Sequence, residues 1–135
     1  MPFVRITHAQ GALSPDQQAA MLHGVHEAVV AVEGEALRMG VGVVLETGVA
    51  STALVVNCLP FIAITLVRDA LSAEQRATMI SSVVEAVVAV EGESARPRTW
   101  VVIEESVASG EWSIGGRPLT LAALESLKQG RNPWS

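Results

Sequence analysis

The chain has 135 residues and a formal net charge of −5, and 50% of its residues are apolar whereas 17% are charged. This composition excludes a disordered chain, because apolar surface on that scale is more stable when buried. The few cations are dispersed along the chain, so we expect no nucleic-acid partner, which would require clustered Lys and Arg. A small anionic substrate stays open. We expect one domain spanning residues 1–135.

The sequence shows no sign of membrane insertion or export. The apolar stretches 41–45 and 53–67 are too short or too interrupted for a span of about 20 residues, and the N-terminus lacks the long apolar core of a signal peptide. Cys58 is the single cysteine, so no internal disulfide can form. We therefore expect a soluble, cytoplasmic protein with no membrane partner.

The first half of the chain predicts a strand, a helix and a second strand in that order. Phe3–His8 is rich in β-branched and aromatic residues, as strands are. Ser14–Gln17 fits a capping box with Pro at the first helical position. An apolar stripe at helical spacing follows, and Gly34 is a typical helix end. Val41–Glu46 is predicted as the second strand.

The second half repeats this pattern at a shift of 58 residues without gaps. Glu27–Glu35 recurs unchanged as Glu85–Glu93, so the chain consists of two fused copies, 2–58 and 60–117. The other predicted elements are strands at Phe61–Val67 and Thr99–Glu105, a helix from Ser72 to Gly92, a hairpin at Gly110–Gly116, a short helix at Leu119–Lys128 and a loose tail at Arg131–Ser135.

The order of these elements predicts an α+β fold. Each strand-helix-strand unit forms a parallel pair with a right-handed crossover, because only that hand packs the helix back onto the sheet. Two units give a four-stranded β-α-β sheet with both helices on one face. The other face is then bare, although it is rich in Val and Ile. We expect another copy of the chain to cover it, in an obligate homo-oligomer.

Few side-chain patterns in the sequence indicate chemistry. His8, His23 and His26 have no Cys or carboxylate partners at the spacing of metal ligands. Gly115-Gly116 does not open a phosphate-binding helix. We therefore expect neither a metal nor a cofactor.

Pro2 is the remaining candidate, because it becomes an N-terminal secondary amine if Met1 is removed. We expect that removal, since the residue after Met1 is small. Burial against apolar walls would disfavour the protonated amine and lower its pKa towards neutrality. The amine could then act as a general base, or as a nucleophile towards a carbonyl. The structural alternative is a Pro that begins an edge strand. Pro60 cannot share the role, because its nitrogen is an amide.

Four features of the chain share a pattern with one known family: Pro2–Ile6, the Ser-x-x-Gln helix starts, Val101–Glu105 and Trp112–Gly116. With these features the chain resembles the tautomerase superfamily, and over nearly its whole length it is similar to a tandem-fused 4-oxalocrotonate tautomerase. The resemblance implies a cofactor-independent isomerase whose base is the amino-terminal proline. It also implies a homotrimer for a fused member, and carboxylate-bearing carbonyl or enol substrates held by arginines.

The resemblance transfers to individual residues only in part. The family's arginine before the helix falls on Leu13 and Leu71, and its arginine on the second strand falls on Gly42 and Trp100. Arg68 stands where related chloroacrylate dehalogenases carry a substrate arginine. It is therefore the first candidate for binding the substrate carboxylate.

The other candidate site residues follow from the second copy. Arg98 shares a strand face with Trp100 by period two, and the pair is predicted to contact substrate, with Arg98 as the second cation. Trp112 takes the place of the family's site aromatic, and Glu111 resembles the water-activating carboxylate of the dehalogenase branch. We expect Pro2 opposite Arg68 and Trp112, from the same chain or a neighbour. A solvated surface position or an intersubunit ion pair is the alternative for Arg68 and Arg98 and the expectation for Arg38 and Arg117.

Three functions stay open at this point. The first is a tautomerase in which Pro2 moves a proton on a 2-oxo or enol acid. The second is a decarboxylase or hydratase-dehalogenase acting on a three-carbon acid, for which Glu111 would orient water. The third is a non-catalytic oligomeric scaffold of the same fold, which the missing arginines favour.

Overall fold

The structure is a computed structural model that describes residues 2–49 and 57–134. Met1 and Leu54, which stands in the first copy where Trp112 stands in the second, lie outside the described residues. The elements in chain order are β1 (Phe3–Ala9), α1 (Pro15–Glu33), a 3-10 helix (Glu35–Gly40), β2 (Gly42–Val49), β3 (Phe61–Val67), α2 (Ala73–Glu91), a second 3-10 helix (Glu93–Arg98), β4 (Trp100–Val107), β5 (Trp112–Ile114), β6 (Arg117–Leu119) and α3 (Leu121–Lys128).

One four-stranded sheet carries strands from both copies, in the order β2-β1-β3-β4. The parallel pair predicted within each copy is confirmed, and β1 and β3 pair antiparallel at the centre. The central register is symmetric, because Phe3 lies opposite Thr65 and Thr7 lies opposite Phe61. This register brings the end of β3 to the start of β1, at the sheet edge where Pro2 lies.

Both long helices begin and end as the sequence predicts. Ser14 and Ser72 each accept a hydrogen bond from the backbone N–H three residues on, and the Gln at that position accepts one from the Ser N–H. Gly34 and Gly92 end the helices at φ values of 104° and 88°, which L side chains adopt only at a cost. Among the described helices, none combines the length and apolar character needed to cross a bilayer.

The main core lies between the sheet and the two long helices. Its members are buried side chains of α1 and α2 and the inward side chains of β1 and β3, including Val4, Ile6, Met21, Val25, Val29, Ile62, Ile64, Met79, Val83 and Val87. Burying each such side chain contributes about 1.5–3 kcal/mol. Both helices therefore pack on one face of the sheet, as predicted.

A 3-10 helix that the sequence pattern did not predict follows each long helix. The first is Glu35–Gly40 and the second is Glu93–Arg98. Because Arg98 ends the second 3-10 helix and β4 begins only at Trp100, the prediction that these two residues share a strand face is wrong.

The C-terminal end of the chain packs on the first copy. Leu37 of the first 3-10 helix and Val67 at the end of β3 form a second buried cluster with Leu119, Ala123 and Leu124. Trp134 packs against this cluster, and its Nε1–H donates to the Pro118 carbonyl at 3.1 Å. The prediction of a loose tail is therefore wrong for Trp134.

The side chains that point away from the two long helices form the outer face of the sheet. Large apolar residues on it stay partly accessible, with Phe3, Val44 and Val102 each 37% exposed and Trp100 55% exposed. Accessible apolar side chains of this kind favour a protein-binding surface, and coverage of this face by another copy of the chain stays a prediction.

Candidate active site

A cavity of about 430 Å³ lies where β1 begins. Its walls come from three parts of the chain: Pro2 and Phe3, the first 3-10 helix with Gly42, and the C-terminal hairpin, helix and tail. The described residues that line it include no charged side chain. The cavity therefore favours binding of the apolar part of a ligand, because its lining interacts only weakly with water.

Pro2 is buried at this cavity. Its carbonyl accepts a hydrogen bond from the Gly42 N–H at 3.2 Å. This bond extends the β1–β2 pairing by one residue and so holds the backbone of Pro2 in place. The first residue after Met1 is thus fixed by the sheet at the edge of an apolar space.

Trp112 lines the same cavity, and it does so within one chain. On the β5–β6 hairpin it lies opposite Leu119, which is fully buried in the C-terminal cluster. The hairpin of the second copy therefore places its aromatic residue beside the proline of the first copy.

Sequence reasoning missed most of the other walls. Four lining residues, Ala36, Leu37, Met39 and Gly40, belong to the first 3-10 helix. Leu127 of α3 and Trp134 of the tail complete the C-terminal wall. The available signals were the large aromatic residue in the tail and the placement of Leu127 three residues after Leu124, on one face of a helix.

Gly42 permits close packing across the first strand pair. A Cβ at this position would lie 2.9 Å from Cδ2 of Phe3, too close for ordinary contact. Gly40 also lines the cavity, and the residues at the same places in the second copy are Arg98 and Trp100. The first copy therefore has small residues where the second has two of its largest.

Arg98 lies outside the Pro2 cavity, in a hydrogen-bond network of its own. Its Nη1–H donates to the Leu59 carbonyl at 2.8 Å, and its Nη2–H donates to Glu91 Oε1 at 3.1 Å. The same carboxylate oxygen lies 3.0 Å from Nε2 of buried His8. Arg98 is thus engaged inside the fold, and its role as a substrate cation stays a prediction.

The geometry defines the proton positions in this network. His8 Nδ1 accepts from the Ala9 N–H at 2.8 Å, so Nε2 carries the proton donated to Glu91. Burial raises the pKa of Glu91, but the hydrogen bonds from His8 and Arg98 and the positive charge of Arg98 outweigh burial and hold that pKa below its usual 4.5. Glu91 Oε2 is buried without a partner in the described part of the chain.

Arg68 and Trp100 also lie outside the Pro2 cavity of their own chain. Arg68 follows β3 at the sheet edge where Pro2 begins, but its side chain is exposed and its Nε is 3.5 Å from the Glu105 carbonyl. Trp100 projects from the outer face of the sheet, 55% exposed. Substrate binding by either residue stays a prediction.

Glu111 lines a second cavity, also of about 430 Å³. Phe3 and Trp112 line both this space and the Pro2 cavity, so the two adjoin. Thr65 and Ser113 provide further polar groups there. Within residues 2–49 and 57–134, no group of three or more His, Cys, Asp and Glu side chains could hold a metal ion.

Comparison with known proteins identifies the family. The sequence model described as "Tautomerase enzyme" matches residues 60–122. The probable tautomerase K2 of Dickeya dadantii (strain 3937) is 36% identical over 62 residues, which make up 46% of this chain and 90% of that protein. The chain belongs to the tautomerase family.

Solved structures agree on the fold. The F6 fused 4-OT asymmetric trimer has a TM-score of 0.73 at 23% identity, covering 90% of this chain and 98% of that one. Native fused 4-OT has a TM-score of 0.71 at 20% identity, covering 91% and 98%. Macrophage migration inhibitory factor of Toxoplasma gondii has a TM-score of 0.64 at 20% identity, covering 87% and 99%. The predicted α+β fold and the resemblance to fused 4-oxalocrotonate tautomerase are confirmed.

Proposed function

We propose that this chain is a cofactor-independent tautomerase whose base is the amine of Pro2 after removal of Met1. The observation that supports this most is that buried Pro2 lines an apolar cavity together with Trp112. Membership of the tautomerase family supports isomerase activity in general terms. The proposed substrates are 2-oxo acids and their enols.

The proposed reaction moves one proton and leaves the composition of the substrate unchanged. Apolar walls solvate an ammonium poorly, so they favour the free amine of Pro2. The amine takes the enol hydroxyl proton, the C–O bond becomes a carbonyl, and the neighbouring carbon takes a proton from the resulting ammonium. Trp112 keeps water from competing for that proton.

We further propose that the protein acts as a homotrimer. Fused 4-OT structures are described as trimers, and the accessible apolar side chains of Phe3, Val44 and Trp100 support burial of the outer sheet face between chains. Light scattering tests this, because a 14.2 kDa chain would run as a species of three times that mass.

The test of the catalytic role combines mass spectrometry with kinetics. The intact mass reports whether the mature chain begins at Pro2. Ketonisation of phenylenolpyruvate, followed by its ultraviolet absorbance, should lose about 100-fold or more in kcat/KM in Pro2→Ala, the usual contribution of a general base.

Pro15→Ala is the matched control, because Pro15 is an exposed residue at the first turn of α1. Its kcat/KM should stay within about twofold of that of the unsubstituted protein. Activity that survives Pro2→Ala, or an active protein that retains Met1, would rule out the amine mechanism. An inactive protein with a free Pro2 would favour the scaffold reading.

A second candidate function is supported by Glu111. Glu111 lines a cavity that shares Phe3 and Trp112 with the Pro2 cavity, and its carboxylate could orient water there. This favours decarboxylation or hydration of a three-carbon acid as the alternative. Incubation with 3-oxopropanoate tests it, with carbon dioxide release that disappears in Glu111→Gln as the supporting result.

A further inference from the structure

The charge balance of the arginines points to a place for an anion. Five cationic side chains form ion pairs with carboxylates: Arg5, Arg38, Arg76, Arg96 and Arg98. Within the described part of the chain, the cations without a carboxylate partner are Arg68, Arg117, Lys128 and Arg131. Three of these four belong to the C-terminal segment that closes the Pro2 cavity.

Arg117 and Arg131 line a third cavity of about 330 Å³. It shares Ala36, Leu127 and Trp134 with the apolar Pro2 cavity. The Trp134 side chain is therefore part of the wall of both cavities. The cavity lined by Arg117 and Arg131 therefore neighbours the uncharged cavity that Pro2 lines.

Contacts in the C-terminal segment hold this arrangement in place. The Arg117 guanidinium lies 5.8 Å from the centroid of the Trp134 ring, a distance typical of a cation–π contact. The Arg131 N–H donates to the Ser126 carbonyl at 2.8 Å, which fixes the turn after α3. Trp134 is itself anchored through its hydrogen bond to Pro118. Both arginines are thus presented beside one fixed indole.

We propose that Arg117 and Arg131 form an anion subsite of the Pro2 site. Guanidinium groups bind carboxylates through paired N–H···O bonds. The apolar body of the ligand would lie against Leu127 and Trp134. The ligand class is a carboxylic acid whose carboxylate is separated from the reacting carbonyl or enol by an alkyl or aryl spacer. The identity of the reacting group rests on the proposed function, whereas the subsite does not.

The test measures binding rather than turnover, so that it is independent of the fate of Pro2. Calorimetry compares 4-phenylbutanoate with its neutral amide, 4-phenylbutanamide, on the full chain. The double variant Arg117→Gln/Arg131→Gln should weaken carboxylate binding about tenfold, since these exposed cations contribute less than buried ones, and should change amide binding less than twofold. Because the readout is binding, its outcome does not depend on whether the Pro2 amine acts as a base.

Two controls separate charge from structure. Arg96→Gln removes one positive charge at an exposed position held by Glu85 and Glu93, and it should leave both affinities unchanged. Arg117→Lys keeps the positive charge but loses the paired N–H donors of the guanidinium, so it should retain only part of the carboxylate affinity and still bind the acid more tightly than Arg117→Gln does.

Indole N–H signals in a nitrogen–proton correlation spectrum locate the ligand. The Trp134 signal should shift on adding 4-phenylbutanoate, and the Trp100 signal should not. The proposal is overturned if the unsubstituted protein does not bind the acid at millimolar concentration, if the double variant binds it within twofold of normal, or if the amide loses affinity equally. Loss of acid binding in Arg68→Gln, with normal binding in the double variant, would assign the carboxylate to Arg68 instead.

Discussion

The two copies place different residues at the start of their first strands. In both, the proline carbonyl accepts a hydrogen bond from the next strand, from Gly42 to Pro2 at 3.2 Å and from Trp100 to Pro60 at 3.1 Å. In the second copy the preceding residue is Leu59, and Arg98 donates to its carbonyl. In the first copy the position equivalent to Arg98 is Gly40, which lines the cavity. The start of the first strand thus has the same backbone pairing in both copies. In the second copy the Arg98 side chain covers it, whereas in the first copy it borders an open cavity.

A second difference lies at the ends of the long helices. Glu91 accepts hydrogen bonds from His8 and Arg98. Its equivalent Glu33 is more deeply buried, at 4% exposure, but its Oε1 has no partner in the described residues. The positions equivalent to His8 and Arg98 are Leu66 and Gly40. The glycine that opens the cavity therefore also removes the arginine that Glu33 would need.

Gly40→Arg is expected to have the largest effect, because it gives the first copy the residue that occupies this position in the second. Gly40 has no positive φ, so the backbone accepts a side chain. A guanidinium in the Pro2 cavity would exclude substrate and favour water, and kcat/KM for phenylenolpyruvate should fall about 100-fold.

The control for this prediction is Gly40→Ala, which adds one methyl group and should cost about tenfold or less. Circular dichroism and light scattering would verify the fold and assembly of both variants. Equal activity of Gly40→Arg and the unsubstituted protein would show that catalysis does not use this cavity.

Glu91→Gln tests the paired carboxylate. The amide still accepts a hydrogen bond, but Arg98 loses its counterion, so the free energy of unfolding at pH 7 should fall by about 2 kcal/mol. Because the pKa of folded Glu91 is held below 4.5, its stabilising effect is present above that pH and is lost as the pH falls through the lowered pKa. Urea titrations at pH 7 and pH 3 should therefore show a difference between the two proteins that shrinks in acid. A difference that stays constant with pH contradicts this account.

Glu33→Gln should act in the opposite direction. An unpaired carboxylate oxygen in the core costs free energy, and the neutral amide has nearly the same shape. We expect the free energy of unfolding to rise by about 1 kcal/mol at neutral pH, measured by urea denaturation. A loss of stability as large as that of Glu91→Gln would show that Glu33 has a partner that the described residues do not provide.

The repeated sequence was sufficient to predict the fold. The signals that predicted the elements are local: capping boxes at Ser14 and Ser72, glycine helix ends and strand composition. Each occurs in both copies, so the elements predicted for one copy could be checked against the other. The parallel pairing within each copy follows from the strand-helix-strand order, since the helix returns the chain to the end of the sheet where the first strand began. The 3-10 helices were missed because Glu35–Gly40 and Glu93–Arg98 have no apolar period of their own; their shape depends on contacts with the rest of the fold.

Site residues could be predicted only where they could be compared with the other copy or with the pattern of the family. Pro2 and Trp112 are recognisable from their positions in that pattern, and both line one cavity. Trp134, Arg117 and Arg131 have no such reference, because the segment after residue 117 is not repeated. Trp134 packs against the cluster that contains Leu37, which is distant in sequence, and local patterns cannot predict that contact. Arg117 in turn lies over the Trp134 ring.

The smallest expected effect concerns a place where the copies are alike. The Gln17 N–H lies 3.2 Å from Ser14 Oγ, and the Gln75 N–H lies 3.1 Å from Ser72 Oγ. Ser14→Ala and Ser72→Ala should each lower the free energy of unfolding by about 1 kcal/mol, the usual cost of an N-cap. Pro15 follows only the first cap, but it is present both in the unsubstituted protein and in Ser14→Ala, so its effect on the unfolded chain cancels. The two losses should therefore agree within about 0.3 kcal/mol by urea denaturation. Losses that differ by more than this would show that the two N-caps do not contribute equally to the stability of their helices.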